Sequence, residues 1–377
     1  MPTPPPPVVK PRQRILVMRY RFIGDTLLTV PFLRNLRAAY PDAIIDLLVA
    51  PNSGELLRDC PYINELILFD TTRKHRYENP DNATPRRSFW QYVQLLRARH
   101  YDTAFVLKRS FSSAGLAFLA GIPERIGFDT EGRGFLLTHR VPYRNGRAST
   151  QAGQERIHEI DAFLSVLQAV NIPVHDRHLE SWWQPPEAEM ADRLLRASSR
   201  EIDPDQAPGH SPLQHVVLHL TSSNEAKQWP MPHAQQLAEW LLQEPQRLIH
   251  CLGTPADAVL YRELRKLLPL GQQPRLHIHC GQLNLLESMA FLHHMNLVVG
   301  VDSGTLHMAA AAGVPVVALF GPMDEQKWVP PGAQVVSNPI ACRPCNLDTP
   351  CRFNLECMKG LQPETVIETI KAYAGFI

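Results

Sequence analysis

Short apolar runs alternate with helical patterns along most of this 377-residue chain, and this alternation limits the folds that it can adopt. In the first part, the predicted strands are residues 14–18, 44–49, 66–69 and 103–107. The predicted helices between and around them are residues 26–39, 53–58 and 88–99. Strands that alternate with helices are typical of βαβ units and a parallel sheet. The sequence therefore predicts a doubly wound α/β domain here.

The same alternation starts again near residue 215. The predicted strands are residues 215–220, 247–253, 275–281, 297–303 and 314–321, and the predicted helices are residues 232–242, 255–267, 285–294 and 304–312. The residues between 171 and 213 are rich in proline and polar side chains, with one helical pattern at 186–198. We predict a disordered proline-rich N-terminus (1–13), an N-terminal Rossmann-like domain (14–180) and a C-terminal Rossmann-like domain (181–377), with a cleft between them.

The two halves differ in charge, although the whole chain has a formal net charge of only +1. Residues 1–175 carry 23 Lys and Arg against 16 Asp and Glu, and the rest carries 15 against 21. A basic half favours an anionic partner, and chance asymmetry of two solvated surfaces is the alternative. The N-terminus has no basic segment followed by an apolar core, and no uninterrupted apolar run approaches the roughly 18 residues of a membrane span. These patterns predict a cytoplasmic protein.

Several well-known site motifs are missing from the sequence. It contains no GxxxxGK[ST] loop, no GxGxxG after a strand and no HExxH helix, which argues against ATPase, dinucleotide-binding and zinc-protease classes. The only Asp-x-Asp sequence, at 203–205, lies in a proline-rich segment, so a metal-diphosphate site is not predicted there. No metal site and no nucleic-acid partner are predicted.

The turn after the first predicted strand contains Gly24 and Asp25, directly before a predicted helix. Asp is among the best N-cap residues, so capping is one interpretation, and Thr26 is a second cap candidate. The other interpretation is a carboxylate at the mouth of a cleft that takes a proton from a hydroxyl group.

Two turns in the second half are candidates for phosphate binding. Asp302, Ser303, Gly304 and Thr305 fill a strand-to-helix turn, with His307 in the first helical turn. The free N–H groups and the dipole of a helix N-terminus favour a phosphate, whereas an ordinary capped helix and a packed histidine are the alternatives. The hydroxyl-rich end of another predicted strand is followed by Lys227, which can neutralise a diphosphate or simply be solvated.

Four of the seven cysteines, Cys342, Cys345, Cys351 and Cys357, lie close together near the C-terminus. Their spacing is not that of a common zinc finger, and disulfides are disfavoured in a cytoplasmic protein. A structural metal site and free or oxidised thiols both stay open.

Taken in order, several segments resemble the heptosyltransferases of glycosyltransferase family 9. The segments are ILVMRYRFIGDTLLTVPFLRNLRAAYPDAIIDLLV, AFLAGIPERIGFDTEGRGFLLTHRV, the K-x-W-P at 227–230, VDSGTLHMAAAAGVPVVALFGP and the cysteine-containing tail, within residues 14–370. The resemblance implies a GT-B fold, that is, two Rossmann-like domains that face a cleft. It also implies inverting sugar transfer, typically from ADP-heptose, to a lipopolysaccharide core or another acidic glycolipid. No cofactor beyond this nucleotide sugar is implied.

The resemblance assigns roles to residues at matching positions. Asp25 matches the proposed catalytic base. The implied donor-binding residues are Ser222, Ser223, Lys227, Asp257, Asp302, Ser303, Gly304, Thr305 and His307. The anionic acceptor then makes Arg109, Arg125, Arg133 and Arg140 candidates, because arginine can bind carboxylate or phosphate bidentately; surface salt bridging is the alternative for each. A lipid-linked acceptor also suggests peripheral contact with the cytoplasmic face of the inner membrane.

Two other functions stay open on the same scaffold, since a fold does not define a function. One is a nucleotide-sugar epimerase, which needs no acceptor and no basic N-terminal face. The other is a non-catalytic nucleotide-sugar-binding protein, which keeps the phosphate turn and tolerates the loss of Asp25. The sequence leaves open the sugar, the nucleotide base, the linkage and the oligomeric state.

Overall fold

The computed structural model describes residues 11–20, 22–70, 86–145, 156–199 and 213–373. The chain divides into two compact units, residues 1–179 and 180–377. Most of the predicted disordered N-terminus and the Asp-Pro-Asp sequence at 203–205 lie outside the described residues. Residues 11–13, however, belong to the first unit, because Arg12 is buried and its Nε donates to Glu124 at 2.8 Å.

The first unit contains a six-stranded parallel sheet. Its strands are β1 (Arg14–Met18), β2 (Ile44–Val49), β3 (Glu65–Leu68), β4 (Thr103–Val106), β5 (Glu124–Phe128) and β6 (His139–Val141). They lie in the order β3-β2-β1-β4-β5-β6. The described α-helices of this unit are α1 (Ile23–Leu27), α2 (Val30–Ala39), α3 (Pro51–Gly54), α4 (Phe89–Ala98), α5 (Phe111–Leu119) and α6 (Glu159–Gln168).

Strand β1 lies in the middle of this sheet, with β2 on one side and β4 on the other. Ile15, Leu16, Val17 and Met18 are completely buried. A parallel sheet that is covered on both faces needs such continuous apolar strands, which explains why the run ILVM was recognisable from the sequence. The buried run ends at Arg19, where the turn towards α1 begins.

The predicted helix over 26–39 is in fact two helices, α1 and α2. Helix α1 begins at Ile23, earlier than predicted, and α2 begins at Val30 with Pro31 in its first turn. A proline inside one continuous helix would remove a hydrogen bond and clash with the preceding turn. The break before Pro31 removes this conflict, and it makes α1 a separate five-residue helix.

The second unit repeats the parallel architecture. Its strands are β7 (Gln214–His219), β8 (Arg247–Cys251), β9 (Leu276–Ile278), β10 (Leu297–Val301), β11 (Val316–Phe320) and β12 (Gln334–Ser337), in the order β12-β11-β10-β7-β8-β9. Its described α-helices are α7 (Pro185–Ser199), α8 (Met231–Leu241), α9 (Ala258–Leu267), α10 (Leu285–His293), α11 (Gly304–Ala311), α12 (Glu325–Trp328), α13 (Glu356–Lys359) and α14 (Pro363–Ala372). The prediction of two doubly wound parallel sheets is therefore confirmed.

The predicted helix at 186–198 is confirmed as α7, but it is not part of a free linker. It packs against α10 within the second unit. The sequence interpretation missed α5, β5, β6 and α6. Strand β5 starts with Glu124 and Arg125, and β6 has only three residues, of which two are exposed, so neither has a continuous apolar run.

Within the described part of the chain, we find no helix with the length and apolar character that a membrane crossing requires.

Candidate active site

Asp25 lies in α1, just beyond the carboxyl end of β1. The N-cap of this helix is Phe22, and Asp25 is its third residue, so the prediction that Asp25 caps the helix is wrong. Thr26 is not the cap either; its hydroxyl donates to the Phe22 carbonyl at 3.1 Å and to Ser53 Oγ at 3.0 Å. The carboxylate of Asp25 is therefore not used in capping, and only 5% of Asp25 is exposed.

The sequence interpretation missed Arg19, which is a partner of Asp25. Nη2 of Arg19 forms an ion pair with Oδ1 of Asp25, and Arg19 is 1% exposed. The guanidinium carbon lies 4.8 Å from the centre of the Phe163 ring on α6. An arginine directly after a buried strand, six residues before the Asp, was the available signal in the sequence.

The predicted acceptor-binding arginines have four different environments. Arg133 is completely buried, and its guanidinium donates to the main-chain carbonyls of Phe128, Lys108 and Ser110. Burial lowers the pKa of Arg133 to about 10. The prediction that Arg133 grips an acceptor anion is therefore corrected: as the structure has it, Arg133 links the turn after β4 to the loop after β5.

Arg125 also binds the main chain, since it donates to Leu136 at 2.7 Å and to two further carbonyls of its own unit. These bonds hold Nε and Nη1 of the half-buried Arg125, and its anion contact stays a prediction. Arg109 forms an ion pair with Glu159 at 3.0 Å and lies 4.1 Å from the centre of the Tyr143 ring. Arg140, on β6, is exposed.

In the second unit, Lys227 and Asp302 are brought together by the sheet. Lys227 ends a short 3₁₀ turn after β7, and Asp302 comes directly after β10. Strands β7 and β10 are neighbours, and His219 is in register with Gly300. Lys227 Nζ therefore lies 2.7 Å from Asp302 Oδ2. The two side chains are 17% and 11% exposed, so the ion pair is partly accessible.

Helix α11 begins beside this pair without a side-chain cap. Ser303 is its N-cap, but the Ser303 side chain makes no capping hydrogen bond. Ser303 Oγ is buried and has no hydrogen-bond partner in the described structure. Gly304 and Thr305 are the first two helical residues, and His307 is 5% exposed in the same first turn. The alternative of an ordinary capped helix is therefore wrong, and the start of α11 keeps unbonded N–H groups.

The remaining predicted donor residues occupy the neighbouring turns. Ser222 is half-buried and Ser223 is exposed, both after β7. Asp257 lies after β8, where its Oδ2 accepts hydrogen bonds from the Thr254 N–H and hydroxyl, each at 2.7 Å. Asp257 thus stabilises its own turn. Since parallel strands end at the same edge of a sheet, the turns after β7, β8 and β10 share one edge of the second unit.

All seven cysteines are free thiols. Burial raises the pKa of the Cys357 thiol, and Cys345, Cys342 and Cys351 contribute in the same direction. Within the described ranges, no group of three or more His, Cys, Asp and Glu side chains is arranged to hold a metal ion.

Comparison with known proteins gives a consistent result. The profile of glycosyltransferase family 9 (heptosyltransferase) matches residues 89–354. Lipopolysaccharide heptosyltransferase 2 of Salmonella typhimurium is 26% identical over 314 residues, which cover 82% of this chain and 83% of the relative. Lipooligosaccharide heptosyltransferase 2 of Haemophilus influenzae is 28% identical over 324 residues, with 84% and 85% covered.

A solved structure of the same architecture is that of E. coli ADP-heptose lipopolysaccharide heptosyltransferase II. It aligns with a TM-score of 0.70 at 23% identity and covers 96% of this chain and 98% of the E. coli chain. This likeness confirms the GT-B fold. Because the family profile spans well over half of the chain, this protein belongs to glycosyltransferase family 9, the heptosyltransferase family, and is a glycosyltransferase.

Proposed function

We propose that this enzyme transfers a heptose from ADP-heptose to an acidic acceptor of the lipopolysaccharide-core type, with inversion at the anomeric carbon. The observation that carries the proposal is the Lys227–Asp302 pair beside the uncapped start of α11. The diphosphate of a nucleotide is bound by positive charge and by hydrogen-bond donors. One edge of this sheet offers both, namely a cation, free N–H groups and an unbonded hydroxyl. The E. coli relative of the same fold is named for its use of ADP-heptose.

In this proposal, the second unit binds the donor. Lys227 neutralises part of the diphosphate charge, and the N–H groups of Gly304 and Thr305 donate to phosphate oxygens. Ser303 Oγ, which has no hydrogen-bond partner in the described structure, gains one from the ligand. Asp302 orients Lys227 through the 2.7 Å ion pair. Further contacts to the phosphates come from Ser222, Ser223 and His307. Asp257 stabilises the turn that lies near the nucleoside.

The first unit supplies the base. Asp25 takes the proton of the acceptor hydroxyl while that oxygen attacks the anomeric carbon from the face opposite to the leaving group. The new bond joins the acceptor oxygen to the anomeric carbon. The bond from that carbon to the diphosphate breaks, and ADP departs with the electron pair. A single base and a stabilised leaving group are sufficient for an inverting transfer. The reaction written in this way uses the nucleotide sugar alone and no further cofactor.

The acceptor is proposed to be anionic because residues 1–175 carry an excess of positive charge. Arg140 is exposed, and Arg109 is partly exposed, so these are the arginines of the predicted set that we retain as acceptor contacts. A lipid-linked acceptor would bring the enzyme to the cytoplasmic face of the inner membrane as a peripheral protein.

Calorimetric titration of the purified protein with ADP, UDP, GDP and CDP tests the donor assignment. Selective binding of ADP, together with ADP release from ADP-heptose that depends on truncated core lipopolysaccharide, is the expected result. Binding of a different nucleotide would contradict heptose transfer. Donor turnover without acceptor would favour an epimerase, and nucleotide binding without any turnover would favour a non-catalytic protein.

A further inference from the structure

The ion pair between Arg19 and Asp25 is almost completely enclosed. Arg19 is 1% exposed and Asp25 is 5% exposed. Nη2 of Arg19 contacts Oδ1 of Asp25, whereas Nε and Nη1 of Arg19 are buried and have no hydrogen-bond partner among the described residues. The only ring that stacks on this guanidinium in the described structure is that of Phe163, at 4.8 Å. Most N–H donors of Arg19 have therefore lost their hydrogen bonds to water without gaining a hydrogen bond among the described residues.

Such an arrangement is poorly suited to stabilise the fold. Removing a guanidinium and a carboxylate from water costs several kcal/mol each, and unpaired buried donors add to the cost. Replacing a buried ion pair with apolar side chains is often neutral or stabilising. A stack on Phe163 recovers only part of this cost. The single good contact that Arg19 makes is with Asp25, so the role of Arg19 is best explained through Asp25.

We infer that Arg19 is a positioning residue for Asp25: it holds the carboxylate in one rotamer through Oδ1. This inference rests on the proposed function, in which Asp25 is the base.

Arg12 offers a matched control in the same unit. It precedes β1, whereas Arg19 follows it, and Arg12 is also buried in an ion pair, with Glu124 at 2.8 Å. The two arginines therefore resemble each other in burial and in partner type. They differ in that only Arg19 contacts the proposed base. A general loss of stability would affect both variants, whereas a positioning role is specific to Arg19.

The test compares Arg19→Lys, Arg19→Gln and Arg12→Gln in steady-state assays of ADP release from ADP-heptose and truncated core lipopolysaccharide. Arg19→Gln is expected to lower kcat about 100-fold or more, because general-base catalysis contributes about 10²- to 10⁴-fold. Arg19→Lys keeps the charge and is expected to recover about a tenth of the wild-type kcat or more. The donor KM and the ADP dissociation constant are expected to stay within about twofold in both variants. Arg12→Gln is expected to keep wild-type kcat.

A double-mutant cycle with Asp25→Asn gives the decisive readout. If Arg19 acts through Asp25, adding Arg19→Gln to Asp25→Asn has no further effect on the residual rate, because residues that act as a unit are not additive. Additive losses, wild-type kcat in Arg19→Gln, or equal losses in Arg12→Gln would each overturn the inference. Should Arg19→Gln fail to fold, Arg19→Lys alone and in the Asp25→Asn background gives the same comparison.

The role of Asp25 as the base and the role of Arg19 as its positioning residue are contradicted by different results. Near-normal turnover by Asp25→Asn would contradict the base assignment itself, and with it the inference. An inactive Asp25→Asn together with an active Arg19→Gln would contradict only the positioning role. A wild-type enzyme that does not turn over this substrate pair contradicts the proposed function and the inference that rests on it.

Discussion

Lys227 Nζ lies 2.7 Å from Asp302 Oδ2, although 75 residues separate the two in the sequence. The contact exists because β7 and β10 are adjacent parallel strands and both turns leave the same edge of the sheet. The acid holds the ammonium group near the first turn of α11 in the absence of ligand. In the proposed function, a bound diphosphate competes with Asp302 for the lysine, and the ion pair holds the cation in position before the donor binds.

Lys227→Ala is expected to weaken ADP binding at least about tenfold, which corresponds to about 1.4 kcal/mol. The loss combines the missing cation with repulsion between the unpaired Asp302 and the phosphates. Calorimetric titration with ADP measures the effect. Lys266→Ala is the control, because Lys266 is an exposed lysine on α9 that is paired with Glu263. Equal ADP affinity of Lys227→Ala and wild type would contradict the donor assignment.

Asp25→Asn is expected to lower turnover about 100-fold or more while ADP affinity stays within about twofold. The amide keeps the shape of the side chain but cannot take a proton. Asp46→Asn is a suitable control, because Asp46 is 2% exposed in the same unit and accepts a hydrogen bond from the Tyr101 hydroxyl at 2.5 Å. We expect Asp46→Asn to lower the melting temperature and to leave the turnover of the folded fraction unchanged.

Arg133→Met is expected to destabilise the first unit by about 1–3 kcal/mol. The substitution removes a buried donor from the carbonyls of Phe128, Lys108 and Ser110. Ser113 Oγ also donates to Lys108 and Ser110, at 2.7 Å each, so the loss falls mainly on the Phe128 carbonyl, and one unsatisfied buried group costs about 1–3 kcal/mol. Urea unfolding followed by circular dichroism measures the change. The affinity for ADP, measured by calorimetry at a low urea concentration, is expected to be unchanged, because Arg133 belongs to the first unit and ADP is proposed to bind to the second. Wild-type stability would show that this guanidinium does not link the loops.

A stack of four histidines lies along strands β7 to β9 of the second unit, with His279 directly after β9; three of them are buried and His215 is half-buried. Nδ1 of His215 lies 2.9 Å from Nε2 of His250, and Nδ1 of His250 lies 3.0 Å from Nε2 of His279. The His277 ring stacks on that of His250 at 5.4 Å. Burial lowers the pKa of His277 and that of His279 to about 4. Burial also lowers the pKa of His250, and neighbouring histidines lower it further.

This histidine stack predicts a loss of stability in mild acid. The unfolded chain has ordinary histidine pKa values of about 6.5 and binds more protons than the folded chain below that pH. The free energy of unfolding is therefore expected to be maximal above about pH 6.5. It should fall towards pH 4 by up to about 1.4 kcal/mol per pH unit for each buried histidine.

Urea titrations at pH 7, 6, 5 and 4.5 test this prediction. His250→Leu is expected to reduce the pH dependence by about one proton. The same free energy of unfolding at pH 7 and pH 5 in the wild type would contradict the assigned protonation states.

The sequence predicted best those elements that depend on local patterns. Strands such as β1 and β10 were found because their apolar runs are buried on both faces. Asp25, Lys227 and Asp302 were predicted as site residues because turns after parallel strands are where ligands bind, and their roles stay predictions. The ion pair of Arg19 with Asp25 is local, and it was missed although both residues lie in the same turn. The main-chain role of Arg133 and the histidine stack depend on contacts between separate segments, which become visible only when strand order and register are known.

Helix α1 has only five residues, too few to be stable by itself in water. Its place is determined by neighbours, among them α3, where Ser53 Oγ accepts a hydrogen bond from the Thr26 hydroxyl. A Cβ on Gly54 would come within 2.7 Å of Val49 Cγ1, so α3 in turn has little room to shift towards β2. The position of the proposed base therefore depends on α3, which contributes no residue to the proposed reaction. Substitutions in α3 are expected to change turnover through the position of α1.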